Sequence, residues 1–470
     1  MSNWERFDIH APRVRSLYME PLHTVVSSHV YLRIRSLRHR DTPLLPGLKE
    51  IYIPDDLDTS LDFSAALLLA SESSLNLIHL DKSATSDRQF CIPFLFLLSI
   101  NSPNLTHLAL HGTMDMSLEL VPRFRNLKSL DLRLSDTYLD YQFIQDMGKL
   151  DNLLDMTLDT SVVGPSTEEG LPLTNQLDLT PPTNFTFKQL RKLHILGTPS
   201  SISRVLDDMH VLMNLTSLHI HEITDGSGQN TESSWKRCFT IISTYPVIED
   251  IRITQFGHSY YRHTGNSYTL STSCFYPLYK LNNMTSFVIE NSTLSGTDED
   301  FRFLACSFPK LKKFVEPCAE HSEGKTLACL LHFSQANRHL RELKISLGAL
   351  DISDHLKTIN EIIGRPNSII QDHQHPLESL HIASKLRSLD LSDMIQIAQF
   401  LDLIFPNLST LKVYRDGSYD PNIYKASESP WTKIQQIRVA LQSARIKASS
   451  ANNVSNEHAE SLGNLPLKHV

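Results

Sequence analysis

The stretch Pro103-Asn104-Leu105-Thr106-His107-Leu108-Ala109-Leu110 sets three leucines at the spacing L-x-x-L-x-L. Leu127, Leu130 and Leu132 repeat it, and apolar residues recur at 190/193/195, 215/218/220, 340/343/345 and 408/411/413. The first apolar residues of the successive copies are Val14, Leu48, Leu75, Leu105, Leu127, Leu153, Leu190, Leu215, Ile248, Met284, Leu311, Leu340, Leu377 and Leu408, spaced 22 to 37 residues apart. Leu386, Leu389 and Leu391 also fit, yet they follow Leu377 so closely that one of those two copies is not a strand of the series.

This spacing, at this period, is the strand unit of a leucine-rich repeat. Side chains alternate along a strand, so Leu108 and Leu110 point one way and His107, Ala109 and His111 the other. One unit cannot bury its apolar side; stacked units share a continuous core. The expected fold is therefore α/β: a leucine-rich-repeat solenoid with a curved parallel β-sheet on its concave side and helices on its convex side, of about 13–14 irregular repeats.

The return segments carry helical periodicity. Trp235, Cys238, Phe239 and Ile242 share one face, the run from Asp393 to Leu401 does likewise with Asp393 read as its N-cap, and Ser200–Val211 and Asp298–Cys306 repeat the idea. Prolines at 103, 246, 309 and 406 end helices and lead into the next strand. Hydroxyls at Ser83, Thr113, Ser135, Ser161, Thr198 and Ser292 stand where regular repeats carry a turn-bonding Asn or Cys. The solenoid is expected over 1–430, with a polar, proline-bearing inserted loop at 164–185. A capping helix is expected at 431–448 and an unordered tail at 449–470.

Composition is that of a folded protein, with 470 residues, 41% of them apolar and 20% charged. A net charge of -8 argues against nucleic acid as partner, which needs a basic face. The strip Arg33, Arg35, Arg38, His39 and Arg40 reads as a solvated edge. Six cysteines show no paired spacing, and the N-terminus shows no apolar signal region, so a reducing compartment, cytoplasmic or nuclear, is expected. The longest apolar run, Ile92 to Ile100, is too short to span a membrane and reads as a buried helix face. The sequons at Asn104, Asn214, Asn283 and Asn407 lie where the repeat asks for a polar residue before its first leucine.

Motifs for chemistry are sparse. Gly226-Ser227-Gly228 lacks the rest of a dinucleotide fingerprint, no G-x-S-x-G or H-E-x-x-H occurs, and His373-Gln374-His375 has no third ligand at usable spacing. No catalytic residue, cofactor or metal set is assigned. The candidate binding residues are those projecting from the concave face: His107, His111, Arg133, His194, His219, His221, Arg252, Lys344, His381, Lys412 and Tyr414. Tyr18, Tyr52, Asp131 and Asp390 belong to the same wider set. Their mixed signs and sizes suit a protein epitope better than a phosphate backbone.

Trp4-Glu5-Arg6-Phe7 followed by Ala11-Pro12-Arg13-Val14-Arg15-Ser16-Leu17 resembles the segment joining an F-box to irregular leucine-rich repeats in fungal F-box proteins, especially those of mushroom-forming (basidiomycete) fungi. The Pro-Asn-Leu lead-ins and Ser/Thr turns extend the likeness along the chain. The resemblance implies a non-catalytic substrate-recognition arm of a cullin-type ubiquitin ligase, with the repeats holding a protein target. An F-box would lie upstream of this join and dock on the ligase adaptor; no docking residue can be carried over. A monomer without nucleic-acid or membrane partners is expected. The alternatives are a scaffold or decoy with no ligase link and, less favoured, a regulator of a small GTPase.

Overall fold

Ile51, Ile78, Leu108, Leu130, Met156, Leu193, Leu218 and Ile251 stand in register on eight consecutive parallel strands and are buried. Two residues on, Ile53, Leu80, Leu110, Leu132, Leu158, Ile195, Ile220 and Ile253 form a second buried row. The first apolar residue of each copy, from Leu48 through Ile248, is buried as well. Each such side chain contributes roughly 1.5–3 kcal/mol when removed from water.

The computed structural model describes residues 3–19, 28–37, 43–55, 64–72, 74–113, 118–135, 137, 139, 141–160, 187–209, 212–223, 231–256, 269–290, 293–316, 325–348, 353, 356–357, 359–360, 375–383, 389–413 and 430–463. Two compact units divide the chain, residues 1–257 and 258–470, where the periodicity alone suggested one run.

The first unit carries β1 (Ser16–Tyr18), β2 (Glu50–Ile53), β3 (Leu77–Leu80), β4 (His107–Gly112), β5 (Ser129–Leu134), β6 (Asp155–Asp159), β7 (Lys192–Gly197), β8 (Ser217–Ile223) and β9 (Asp250–Phe256). These pair in chain order, every one parallel to its neighbour. A repeated turn locks the register. Thr106 N and His107 N both donate to Asn76 O, Lys128 N and Ser129 N to Thr106 O, and Thr216 N and Ser217 N to Arg191 O. Asparagine before the first leucine serves the same joint: Asn126 Nδ2 donates to Pro103 O at 2.8 Å, and Asn214 to Lys188 O. The polar residue demanded there thus satisfies a carbonyl of the preceding unit.

The described hydroxyl positions bond in varied ways, not all of them to the backbone of the turn. Ser83 Oγ reaches Asp55 O, Ser135 Oγ reaches Gly112 O, and Thr113 pairs with Ser86. Thr198 caps the helix Pro199–Asp208. Ser161 and Ser292 lie outside the described residues, as do the inserted loop at 164–185, Gly226–Gly228 and Tyr414. Gly112, at φ 112°, ends β4 so close to Lys82 that an added Cβ would sit 2.4 Å from the Lys82 Cα.

In the second unit, β10 (Thr269–Ser271) pairs with β12 (Thr293–Ser295), both outside the repeat template. β11 (Ser286–Glu290), β13 (Lys313–Val315), β14 (Glu342–Ser346), β15 (Ser379–Ala383) and β16 (Thr410–Val413) form the repeat ladder, again all parallel. Its buried row runs Phe287, Phe314, Leu343, Leu380 and Leu411. The strand after Leu377 is real. The competing Leu386-Leu389-Leu391 copy is not: Leu391 opens the helix Leu391–Ile404 and is exposed.

Helices close the units where amphipathic periodicity placed them. Thr231–Ile242 buries Trp235, Cys238, Phe239 and Ile242, and Arg88–Asn101 buries Phe90, Phe94, Leu95 and Leu98 beneath an N-cap from Asp87. Asp298–Ser307 starts at a Thr297/Asp300 capping box. Asp393, read as an N-cap, instead occupies the third position of a capping box whose cap is Asp390, since that helix begins three residues earlier than an Asp393 cap implies. The final helix spans Pro430–Gly463, so residues 449–463, expected to be unordered, continue it. Extending an established helix escapes the cost of nucleating one, which lets a weakly apolar segment follow. Trp431 and Ile434 of this helix are buried. Among the described residues no helix is long and apolar enough to cross a membrane.

Candidate functional site

Strand alternation puts the residues between the buried rows on the other face of each sheet. Register across the first unit aligns Tyr18, Tyr52, His79, Ala109, Asp131, Thr157, His194, His219 and Arg252 there. A second line on this face carries His111 beside Arg133, and Leu196 beside His221 and Thr254.

One end of this face is an aromatic and acidic network. The Tyr18 and Tyr52 rings stack with centroids 4.4 Å apart, and His79 follows Tyr52 at 6.1 Å. His79 Nε2 and His111 Nδ1 approach the same oxygen, Asp81 Oδ1, at 2.9 and 3.0 Å. On its other side His111 Nε2 lies 3.2 Å from Asp131 Oδ2, while Arg133 Nε donates to Asp131 Oδ1 at 3.1 Å. Burial pushes the Asp131 carboxyl up, but the contacts from His111 and Arg133 outweigh it and hold the group below its ordinary value. Burial, then the charge of Glu50, raises the Tyr52 phenol, which stays a neutral donor.

Three imidazoles meet further along. His194 and His219, on adjacent strands, stack with centroids 4.1 Å apart and planes 4° apart, and the His221 ring lies 6.2 and 6.4 Å from them. His219 Nε2 is 3.0 Å from Thr254 Oγ1. Burial, with His219, Arg133 and His221 adding to it, lowers the His194 pKa to about 4. Burial and then Arg133 also lower His221, against the pull of Asp159. Among the described residues, two groups have ligand atoms all within 4.8 Å of one another and could hold a metal: His194, His219 and His221, and His79, Asp81 and His111.

The second unit's face aligns Lys344, His381 and Lys412 across β14 to β16. Glu342 bridges Lys313 at 2.9 Å and Lys344 at 3.6 Å, and His381 Nε2 lies 3.0 Å from Ser379 Oγ. Burial lowers His381, with Lys344 acting in the same direction.

Of the residues the spacing singled out, His107, His111, Arg133, His194, His219, His221 and Arg252 fall on the face of the first unit, and Lys344, His381 and Lys412 on that of the second. His107, Arg133, Arg252 and Lys412 are the exposed ones. Asp390 is no face residue, since its carboxylate caps a helix. His375 is structural as well: it is buried, its Nε2 is 3.1 Å from Asn337 O, and its ring meets Phe405 edge-on. His79 and Asp81 were missed. Their signal was present, because His79 occupies the variable place of Ile78-His79-Leu80 just as Asp131 does in its own unit.

Five described cysteines are free thiols. Burial pushes the Cys91 thiol up to about 12 and raises Cys238 and Cys329 too, which keeps these three protonated and poor nucleophiles at neutral pH. No family model matches the chain, and the search of curated proteins gives no match.

Proposed function

We propose that the chain is a leucine-rich-repeat solenoid that recognises a protein through the sheet face opposite its buried rows. On this reading it is the non-catalytic, substrate-binding arm of an F-box ubiquitin-ligase subunit. The observation that carries the recognition part is the composition of the face. Stacked tyrosines, half-buried histidines, the Asp81 and Asp131 carboxylates and the exposed Arg133 and Arg252 lie in register on one surface. Tyrosine and arginine are the side chains that protein interfaces enrich, and carboxylates amid the basic groups disfavour a phosphate backbone. A rigid parallel ladder holds these groups at fixed spacing, so little ordering entropy is lost on binding.

The ligase link rests on the N-terminal resemblance alone. Capture of a cullin-ligase adaptor by the natural protein supports it. Capture of a target without the adaptor supports the alternative, a scaffold or decoy. The regulator of a small GTPase remains the least favoured reading. The protein acts as a monomer inside the cell, in cytoplasm or nucleus.

The recognition part is tested with Arg133→Ala and Arg252→Ala together, which should weaken target capture while leaving the melting temperature within about 2 °C of the parent, as surface substitutions do. Unchanged capture would remove the face from the account.

A further inference from the structure

His194, His219 and His221 form a cluster on the proposed recognition face, and the recognition reading does not account for their convergence. His219 and His221 are two apart on β8 and therefore project from the same side, and His194 stands beside His219 on β7. Their ligand atoms lie within 4.8 Å of one another, and tetrahedral zinc, with bonds of about 2.0–2.1 Å, would draw such nitrogens to roughly 3.3 Å. Because the His194 and His219 rings stack with planes 4° apart, at least one must turn for both to point a lone pair at one ion.

The His194 Nε2 is shielded from solvent and has no hydrogen-bond partner. In either tautomer this atom is a buried donor or lone pair left unsatisfied, which is costly unless something binds it. In the other group, His79, Asp81 and His111, the His111 Nε2 is likewise without a hydrogen bond, but it lies 3.2 Å from the Asp131 carboxylate and both imidazoles already reach Asp81 Oδ1.

We propose that His194, His219 and His221 bind one divalent transition-metal ion of the zinc class through three neutral imidazoles, leaving a coordination position open on the exposed face. Imidazole sets suit zinc, copper, iron and nickel rather than magnesium or calcium, which take oxygen ligands. Each ring must present a deprotonated nitrogen to the ion, as imidazole does when neutral. His219 keeps its ring oriented through Thr254, the kind of outer hydrogen bond that fixes a ligating tautomer. Asp159 and Asp131 supply the nearby negative charge that offsets Arg133. The site is independent of whether the face binds a protein.

The test titrates the untagged full chain with zinc chloride at neutral pH, and with cobalt chloride as a spectroscopic probe. One equivalent should bind, and cobalt should show the intense visible bands of a four-coordinate site. His221→Ala and, as a gentler change, His221→Gln should weaken zinc by more than the roughly 10–100-fold that loss of an outer-sphere partner costs. His79→Ala should leave zinc affinity unchanged. Circular dichroism would confirm that each variant is folded. No stoichiometric zinc binding by the folded chain would overturn the proposal. So would equal affinity in folded His221→Ala and parent, or loss through His79→Ala alone.

Discussion

Glu316 and Lys325 form an ion pair in which neither side chain reaches solvent. Glu316 stands where neighbouring strands carry the second apolar row, next in register to Ile345. Lys325 Nζ also donates to Leu294 O of β12 at 3.3 Å and sits 4.8 Å above the Phe301 ring. Burial raises the Glu316 carboxyl, with Lys325 opposing it. Removing one partner strands a charge in the core, whereas replacing both with apolar groups of similar volume does not. Lys325→Met should therefore lose about 3–5 kcal/mol, and Glu316→Leu with Lys325→Met should recover most of it. Urea unfolding of both variants checks this. Equal losses in the two would show that the pair contributes packing rather than charge balance.

Leu218 lies in the buried row between Leu193 and Ile251. Leu218→Ala should cost about 2–5 kcal/mol through lost transfer and a residual cavity. Leu218→Asp should cost more, since the carboxylate finds no partner among leucines and isoleucines. Thermal melts followed by circular dichroism give both numbers. A Leu218→Asp variant as stable as the parent would mean the row is not a stacked core.

Gly112 should resist substitution for a backbone reason. Its φ of 112° is unfavourable for other residues, and a Cβ would press on the Lys82 backbone. Gly112→Ala is expected to lose about 1–3 kcal/mol in chemical denaturation.

Acid should destabilise the second unit partly through His375. Burial lowers its pKa to about 4, against about 6.5 for an unfolded histidine. The unfolded chain then binds the proton more readily, so stability present above pH 6.5 is lost as pH falls towards 4. The contribution is on the order of 3 kcal/mol. His375→Gln, which can still donate towards Asn337 O, should flatten that part of the stability-against-pH curve. An unchanged slope would assign the acid sensitivity elsewhere.

Much of the ladder is legible in the residues, because the L-x-x-L-x-L period reports which side chains must be buried whatever the loops do. The same period flags Glu316, the third place of Leu311-Phe314-Glu316, as a breach of the apolar rule. Its partner Lys325 could not be read, because it lies outside the template. The histidine trio was visible as separate face residues, but their convergence depends on the β7–β8 register, which no single strand encodes. Helix limits near 390 and beyond 448 escaped for a local reason: capping geometry and helix propagation are decided by a few residues with weak periodicity.

Quantitative affinity purification tests recognition of a protein through the sheet face opposite the buried rows. Three forms are compared: the parent, Arg133→Ala with Arg252→Ala, and a control with Lys236→Ala on the exposed side of the helix Thr231–Ile242. Recognition through that face requires a specific protein captured by parent and control and lost from the face variant, with all three equally folded. The same protein retained at full yield by the face variant would contradict it.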